Sequence, residues 1–168
     1  MDHEPVVSTV LPEGRFEGRE AFAQVIRDAF SCAQQQGWRD IVVCDASFED
    51  WPLHERVVVD ALHAWSRSGR RLTMVAAHYD AVARNQARFV TWRKRWDHII
   101  ECRSCRDTDA AGFPSVIWSP VWAMRRLDLV RSTGVCSSAP ARRVQLREVL
   151  DELLLRSAPA FPSTTLGL

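Results

Sequence analysis

Hydrophobic residues recur at the spacing of an α-helix along several stretches of the chain. Over about Arg19–Gln36 they repeat at i, i+3, i+4, i+7, i+8 and i+11, and Gly37 follows where helices commonly end. A second helix is predicted from near Pro52, which suits a first helical turn, to just before Gly69. A further helix is predicted over about residues 141–156.

Short apolar runs between these helices predict buried strands. Ile41–Cys44 is mostly β-branched, as expected of a strand covered on both faces, and residues 71–77 and 98–102 form two more runs. A third helical stretch over residues 80–96, broken near Asn85, separates the last two strands. Because helix and strand alternate, right-handed crossovers and a largely parallel sheet are expected.

The second half of the chain is less regular. Residues 107–114 and 134–140 are predicted loops, and antiparallel edge strands are expected from the apolar runs between them. These strand candidates are residues 116–118, 121–124 and 127–130. With an extended lead-in over 1–17 and an extended tail over 157–168, the sequence predicts a single α/β domain over 1–168. Its sheet is expected to be mixed, mostly parallel and flanked by helices.

Composition fits one packed domain. The 168 residues are 46% hydrophobic and include seven tryptophans, which argues against a disordered chain. No apolar run approaches the roughly 20 residues needed to span a bilayer, and the first residues lack the features of a secretory signal. Five cysteines without an export signal indicate reduced thiols, so a cytoplasmic protein without membrane contact is expected.

The net charge of +1 conceals an uneven distribution of charge. Residues 1–60 hold twelve acidic and five basic side chains, whereas residues 61–147 hold sixteen basic and six acidic ones. Every base except Lys94 is arginine, which favours bidentate contacts with carboxylates and phosphates. A GC-rich genome produces the same excess of arginine without selection for binding.

The basic residues are densest in residues 84–106, where aromatic residues accompany them. On a continuous helix, Arg84, Arg88 and Arg95 fall within about 40° of one another, and an aromatic sector that includes Trp92 adjoins them. These four residues are the predicted anion-binding site, where arginines hold phosphates and aromatic rings stack on bases. Alternatively, the aromatic stripe packs on the sheet beside solvated arginines. As a further alternative, the arginines face the acidic first third, within the chain or across a dimer.

Three acidic residues follow the first predicted inner strand. Candidates for a divalent-cation or general-base role are Asp45, Glu49 and Asp50, which lie at its carboxyl end, where open α/β sheets bind ligands. The alternative for Asp50 is a place at the start of the second helix, where negative charge is favourable.

Signatures of several enzyme classes are absent. The sequence has no G-x-S-x-G elbow, no P-loop and no G-x-G-x-x-G turn. Cys102 and Cys105, with His98 before them, are residue types that bind metal ions. A closed zinc site, however, requires a second such pair. The sequence therefore predicts no catalytic residue, no metal and no cofactor, and it favours a protein that is not an enzyme.

Several runs carry a resemblance to known proteins: FEGREAFAQVIRDAF, DIVVCDASFEDWPL, ALHAWSRSGRRLTMVAA and ARFVTWRKRWDHIIECR, with SAPAFPSTTLGL at the end. The chain resembles an uncharacterised family of small proteobacterial proteins, and its element order resembles one half of a phospholipase D-like domain. Enzymes of that kind carry a His, one spacer and a Lys. Here the residue two before Lys94 is Trp92, so the resemblance implies a non-hydrolytic version of the fold.

A second resemblance rests on DIVVCDASFEDWPL followed by a helix and GRRLTMVAA. This arrangement is similar to a STAS domain, in which a serine at a helix N-terminus can be phosphorylated. Ser47 occupies the corresponding loop, but Trp51 and Pro52 stand where small residues are expected.

The predicted function is a non-catalytic α/β binding or scaffolding domain, expected to form a homodimer. The alternative is binding of nucleic acid or a phosphate-bearing ligand through the basic aromatic helix. A STAS-like regulatory domain and a residual phosphodiesterase are further alternatives. The apolar tail FPSTTLGL either docks on its own domain or exchanges onto a partner protomer.

Overall fold

One sheet of eight strands lies within residues 10–106, 109 and 112–162, the part of the chain that the computed structural model describes. In chain order the strands are β1 (Gly14–Phe16), β2 (Asp40–Cys44), β3 (Arg71–Ala76), β4 (Ile100–Ser104), β5 (Ser115–Trp118), β6 (Ala123–Asp128), β7 (Thr133–Ser137) and β8 (Ala158–Pro159). The α-helices are α1 (Arg19–Gln36), α2 (Arg56–Ser66), α3 (Asp80–Asn85), α4 (Ala87–Arg95) and α5 (Pro140–Leu155).

The strand order is β1-β7-β6-β5-β2-β3-β4-β8. The sheet is mixed and flanked by helices, as predicted. The expectation that it is mostly parallel is wrong, because only the β2–β3 and β3–β4 pairs are parallel and every other pair is antiparallel. For two of these antiparallel pairs the reason lies in the connections, because β5, β6 and β7 are joined by short turns, which can link only antiparallel neighbours.

Helices α1 to α4 supply the apolar residues that cover one face of the sheet. Their side chains pack with inward residues of nearly every strand into the larger core cluster. Among the largest fully buried side chains are Trp51, Trp65 and Trp122. The Trp65 indole nitrogen donates to the Trp38 carbonyl oxygen at 2.6 Å, so the polar N–H group of this buried ring has a hydrogen-bond partner.

Helix α5 packs against the opposite face, together with Phe113 from the segment before β5. Leu150 and Leu153 of this helix pack on Val42, Val75 and Val116 in a second, smaller cluster. Within the described residues, no helix is both long enough and apolar enough to cross a bilayer.

The first half of the chain follows the predicted elements closely. Helix α1 has the predicted bounds, and Gly37 ends it in the left-handed conformation at φ 64°. The predicted helix break is confirmed at Gln86, whose side-chain amide is buried and donates to the carbonyl oxygens of Phe48 and Trp51. Strand β4 begins at Ile100, two residues later than predicted, because a 3₁₀ turn precedes it.

The predicted start of the second helix at Pro52 is wrong, since α2 begins at Arg56. Before it, the chain makes a series of turns, and Phe48 has φ 57°. The backbone N–H of Leu53 donates to the Trp51 carbonyl oxygen inside these turns, and both side chains are buried. Because two large apolar residues are held in the turns, the helix starts only after them.

Two elements of the second half were mispredicted. The expected loop over residues 134–140 contains β7, and the expected strand over 127–130 is the end of β6 with the turn that follows it. The tail is extended as predicted, and β8 pairs with β4, so the tail docks on its own sheet as far as residue 162. The parts of the lead-in, the 107–114 loop and the tail at 1–9, 107–108, 110–111 and 163–168 lie outside the described residues.

Candidate functional site

A groove of about 400 Å³ runs along the outer surface between α2 and α4. Its floor forms because the two helices pack through buried aromatic residues: the Trp92 indole nitrogen donates to the Ser66 hydroxyl at 2.9 Å, and Phe89 is also buried. The residues that line this α2–α4 groove are Arg56, Val59, Asp60, His63, Arg88, Thr91, Trp92 and Arg95. The groove therefore brings together two of the three predicted anion-binding arginines.

The positive charge of this groove is largely uncompensated. Arg88 and Arg95 are exposed, and neither forms an ion pair within the described residues. Arg88 donates to the backbone oxygen of His54 at 3.0 Å, which holds its guanidinium against the turns that precede α2. Arg56 is paired with Asp60 at 3.8 Å on the surface, a contact too long and exposed to neutralise it strongly.

Arg84 does not belong to this groove. Its predicted place beside Arg88 assumed one continuous helix, but the break at Gln86 separates α3 from α4 and interrupts the helical phase. Arg84 is exposed and has no ion pair with a described residue. Its assignment to an anion site therefore stays a prediction.

The predicted role of Trp92 as a stacking surface needs correction, because only 3% of this residue is exposed. Trp96, one turn further on, is half-buried and presents its ring near the groove instead. Its ring lies 5.7 Å from the His63 ring and 5.8 Å from the His98 ring, and its indole nitrogen donates to His63 Nδ1 at 3.2 Å. The Arg95 guanidinium lies 6.0 Å from the same ring. A partly exposed aromatic surface thus stands beside a cation.

Two of the three acidic strand-end candidates are bound by one arginine. Asp45 is buried and Asp50 partly buried, and the guanidinium of Arg126 binds both carboxylates. Glu49 is exposed and takes no part in this cluster. Asp50 also lies outside α2, so its predicted place at a helix start is wrong. Among the described residues, no group of three possible metal ligands is present.

Arg126 itself was missed by sequence reasoning. Its Nε donates to the Ser115 hydroxyl at 3.2 Å, Nη2 donates to Asp45 at 3.0 Å, and the guanidinium lies 4.0 Å from the Phe22 ring. The alternation along β6 gives a signal, since Met124 and Arg126 occupy the same inward face. The acidic first third therefore meets the basic middle here, inside the protein, and not at the arginines of the groove.

Ser47 lies in the turns that follow β2, nine residues before α2 begins. Its hydroxyl accepts from the backbone N–H of Glu49 at 3.4 Å. A serine at a helix N-terminus, which the resemblance to a STAS domain implies, is therefore not what the structure has.

The five cysteines form no disulfide, and all are buried. Cys102 faces the larger core cluster and Cys105 the smaller one, so the two thiols lie on opposite faces of the sheet and cannot share a metal. Burial raises the pKa of Cys102 to about 11 and that of Cys136 to about 12. Burial also raises the pKa of Cys32 and Cys44.

We expect these thiols to be unreactive in the native protein. At pH 8 a thiol-specific disulfide reagent should modify none of the five cysteines within minutes, because burial shields every one of these thiols from the reagent. The raised pKa values of Cys102 and Cys136 further disfavour the thiolate, which is the attacking species. In denaturant all five should react. A native thiol that reacts as fast as in denaturant would contradict the assignment of these residues to the core.

No protein-family model matches this sequence, and no curated protein matches it. Among solved structures, the chain is similar to TrmBL2, an archaeal chromatin protein whose structure shows a novel mode of DNA binding, with a TM-score of 0.66 and 14% sequence identity. The match spans 93% of this chain and 58% of TrmBL2. At this identity the similarity shows the fold alone.

Proposed function

We propose that this chain is a non-catalytic binding module that holds nucleic acid in the α2–α4 groove. The observation that carries the proposal is the pair of exposed arginines, Arg88 and Arg95, which line the groove without an acidic partner among the described residues. Lys94 adds a further exposed positive charge on the same helix.

An extended polyanion fits this groove better than a single small phosphate. The cationic groups are solvated, and an exposed charge pair contributes only about 0–1 kcal/mol, so one phosphate would be held weakly. A nucleic-acid strand offers a row of phosphates, and the release of counterions adds to its affinity. Arg88 and Arg95 are seven residues apart on α4, which places them about 10 Å apart along the helix axis.

The rings beside the groove favour a single strand over a duplex. The half-buried Trp96 ring, with His63 and His98 against it, offers a surface on which an unpaired base can stack. In a duplex the bases are already stacked on each other. The similarity to a chromatin protein concerns the fold, and it makes nucleic acid the first ligand class to test.

The test is fluorescence anisotropy with labelled oligonucleotides of mixed sequence, single- and double-stranded, over a series of salt concentrations. Wild-type affinity should fall steeply as salt rises, and the Arg88→Ala, Arg95→Ala double variant should bind at least tenfold more weakly at low salt. Each lost phosphate contact should reduce the slope of log K against log salt by about 1.

A matched control removes the same charge elsewhere. Arg19 lies on α1 and Arg142 on α5, and both are exposed and outside the groove. The Arg19→Ala, Arg142→Ala variant should therefore keep most of the wild-type affinity. If wild-type protein shows no binding at low salt, or if both double variants lose affinity equally, the groove is not a nucleic-acid site.

The homodimer, the cytoplasmic location and the phospholipase D-like ancestry remain predictions from the sequence. Sedimentation of the protein with and without oligonucleotide, in the same experiment, would show whether a second copy is present in the complex.

A further inference from the structure

A second cleft, of about 630 Å³, lies at the carboxyl ends of β3 and β4. The C-terminal tail closes one side of it, and the loop after β3 and the end of β4 close the other. We call this the carboxyl-edge cleft, and its lining comprises residues 77–80, Ser104, Arg106, Arg156 and 158–162. It shares no lining residue with the α2–α4 groove.

The lining of the cleft carries an excess of positive charge. Arg106 follows β4 and Arg156 ends α5; both are exposed and form no ion pair within the described ranges. His78 also lines the cleft and is exposed, and Asp80 is the single acid among the lining residues. Arginine side chains bind phosphate oxygens in pairs of hydrogen bonds, so two of them at one cleft suit a phosphate group.

The tail side of the cleft is lined by apolar residues that are held in place. Pro159, Phe161 and Pro162 belong to the tail, and the Phe161 ring stacks on Tyr79 with centroids 5.0 Å apart and an interplanar angle of 8°. Arg93, which is buried, donates to the Phe161 carbonyl oxygen at 3.2 Å. A wall fixed in this way loses little conformational freedom when a ligand binds.

Further contacts hold the tail to the sheet edge. Ala160 N–H donates to the Cys102 carbonyl oxygen at 3.0 Å, which continues the β4–β8 pairing. Arg103 donates to the Ser157 hydroxyl at 2.6 Å and to its carbonyl oxygen at 2.8 Å. The cleft is therefore formed before any ligand arrives.

We propose that the carboxyl-edge cleft binds a small phosphomonoester whose organic part is planar and apolar. The phosphate lies between Arg106 and Arg156, and the organic part lies against the tail near Phe161. The position agrees with the general behaviour of open α/β sheets, which bind ligands outside the carboxyl ends of their parallel strands. The volume is within the usual range for small-molecule sites, roughly 300–1,000 Å³. This inference does not depend on nucleic-acid binding in the α2–α4 groove.

The test is a titration of ¹⁵N-labelled full-length protein with phenyl phosphate, followed by the backbone amide resonances. Saturable shifts are expected at Tyr79, Ser104 and Ala160, with a Kd on the order of 1 mM for so small a ligand. The Arg106→Ala, Arg156→Ala double variant should weaken binding by about tenfold or more. The Arg88→Ala, Arg95→Ala variant removes equal charge from the α2–α4 groove and should bind phenyl phosphate as the wild type does.

Two further measurements distinguish the contribution of the tail from that of the arginines. Phe161→Ala should weaken phenyl phosphate but leave inorganic phosphate unchanged, and phenol alone should cause no saturable shift at these amides. The proposal is overturned if phenyl phosphate causes no saturable shift, or if the Arg106→Ala, Arg156→Ala variant binds as tightly as the wild type. Shifts confined to the α2–α4 groove amides, such as Thr91, would overturn it equally. Because each site has its own pair of arginines, failure here leaves the nucleic-acid proposal intact, and the reverse also holds.

Discussion

Replacing Arg126 with alanine should lower the free energy of unfolding by about 3–5 kcal/mol, because it leaves the buried Asp45 carboxylate without its counter-charge. The side chain of Asp45 is 6% exposed and that of Asp50 is 35% exposed, and both are bound by the Arg126 guanidinium. The substitution also removes the hydrogen bond to Ser115 and the contact with the Phe22 ring. Most of the loss should come from Asp45, since water can still reach Asp50.

Urea unfolding and thermal melting at pH 7 measure this effect. The melting temperature should fall by about 6–20 °C, given roughly 2–4 °C per kcal/mol in a domain of this size. Arg125→Ala is the matched control, because Arg125 is the neighbouring residue, lies on the other face of β6 and is half-buried without an ion pair among the described residues. It should change stability by about 0.5 kcal/mol or less.

A double-mutant cycle identifies the cause. If an unpaired carboxylate causes the loss, Arg126→Ala should cost much less in a protein that already carries Asp45→Asn. Asparagine retains one side-chain oxygen that can accept from the backbone N–H groups of Ser47 and Phe48, as Asp45 does. An equal cost in both backgrounds, or an Arg126→Ala as mild as Arg125→Ala, would contradict the role assigned to this cluster.

Replacing Gly134 with alanine should lower the free energy of unfolding by about 1–3 kcal/mol or more. Gly134 lies in β7 between Phe16 of β1 and Arg126 of β6. An added Cβ would stand 2.2 Å from the Arg125 carbonyl oxygen and 2.6 Å from the Phe16 ring. Since the first contact is with backbone, relief requires β6 and β7 to move apart.

Gly112→Ala is the control for this experiment, because a Cβ there would meet nothing within 4 Å. It should leave the urea midpoint nearly unchanged or raise it slightly, since alanine restricts the unfolded chain. A Gly134→Ala protein with the stability of Gly112→Ala would mean that β6 and β7 can separate at no cost. Hydrogen exchange at the Gly134 and Cys136 amides would then show whether the pairing survives.

Sequence reasoning predicted well those elements whose bounds and buried face follow from the residues of the element itself. Helix α1 has an apolar stripe along its whole length and a glycine at its end, so its bounds follow from local periodicity. The parallel strands β2 and β3 are short apolar runs that helices cover on both faces, and both were predicted within a residue or two.

The errors arose where long-range contacts outweighed the local pattern. Strand β7 contains Gly134, serine and threonine, which are typical of a loop, and it forms because β1 and β6 pair with it on both sides. The turns before α2 are stabilised by the burial of Trp51 and Leu53, which no helical spacing reveals. Local preference is weak beside such burial.

The candidate sites, too, were predictable only in part from the local sequence pattern. The sequence showed that arginines are concentrated around α4, and Arg88 and Arg95 do line one groove. Which aromatic ring accompanies them was not evident, because Trp92 and Trp96 differ by one turn and only packing against α2 buries the first. The carboxyl-edge cleft joins the loop after β3 to the tail, two segments that are far apart in sequence.

The sequence by itself determined the α/β class, the helix stripes that cover one face of the sheet, and the excess of positive charge in the middle of the chain. These follow from periodicity and composition, which are local properties. Only the tertiary structure decided which of those charges are neutralised. Arg126 is buried between two aspartates from the acidic first third, whereas Arg88 and Arg95 remain open to solvent. The physical reason is that the pairing of a charged side chain depends on which residues the fold places next to it. Arg126 and Asp45 are 81 positions apart in the chain and meet only when the sheet assembles.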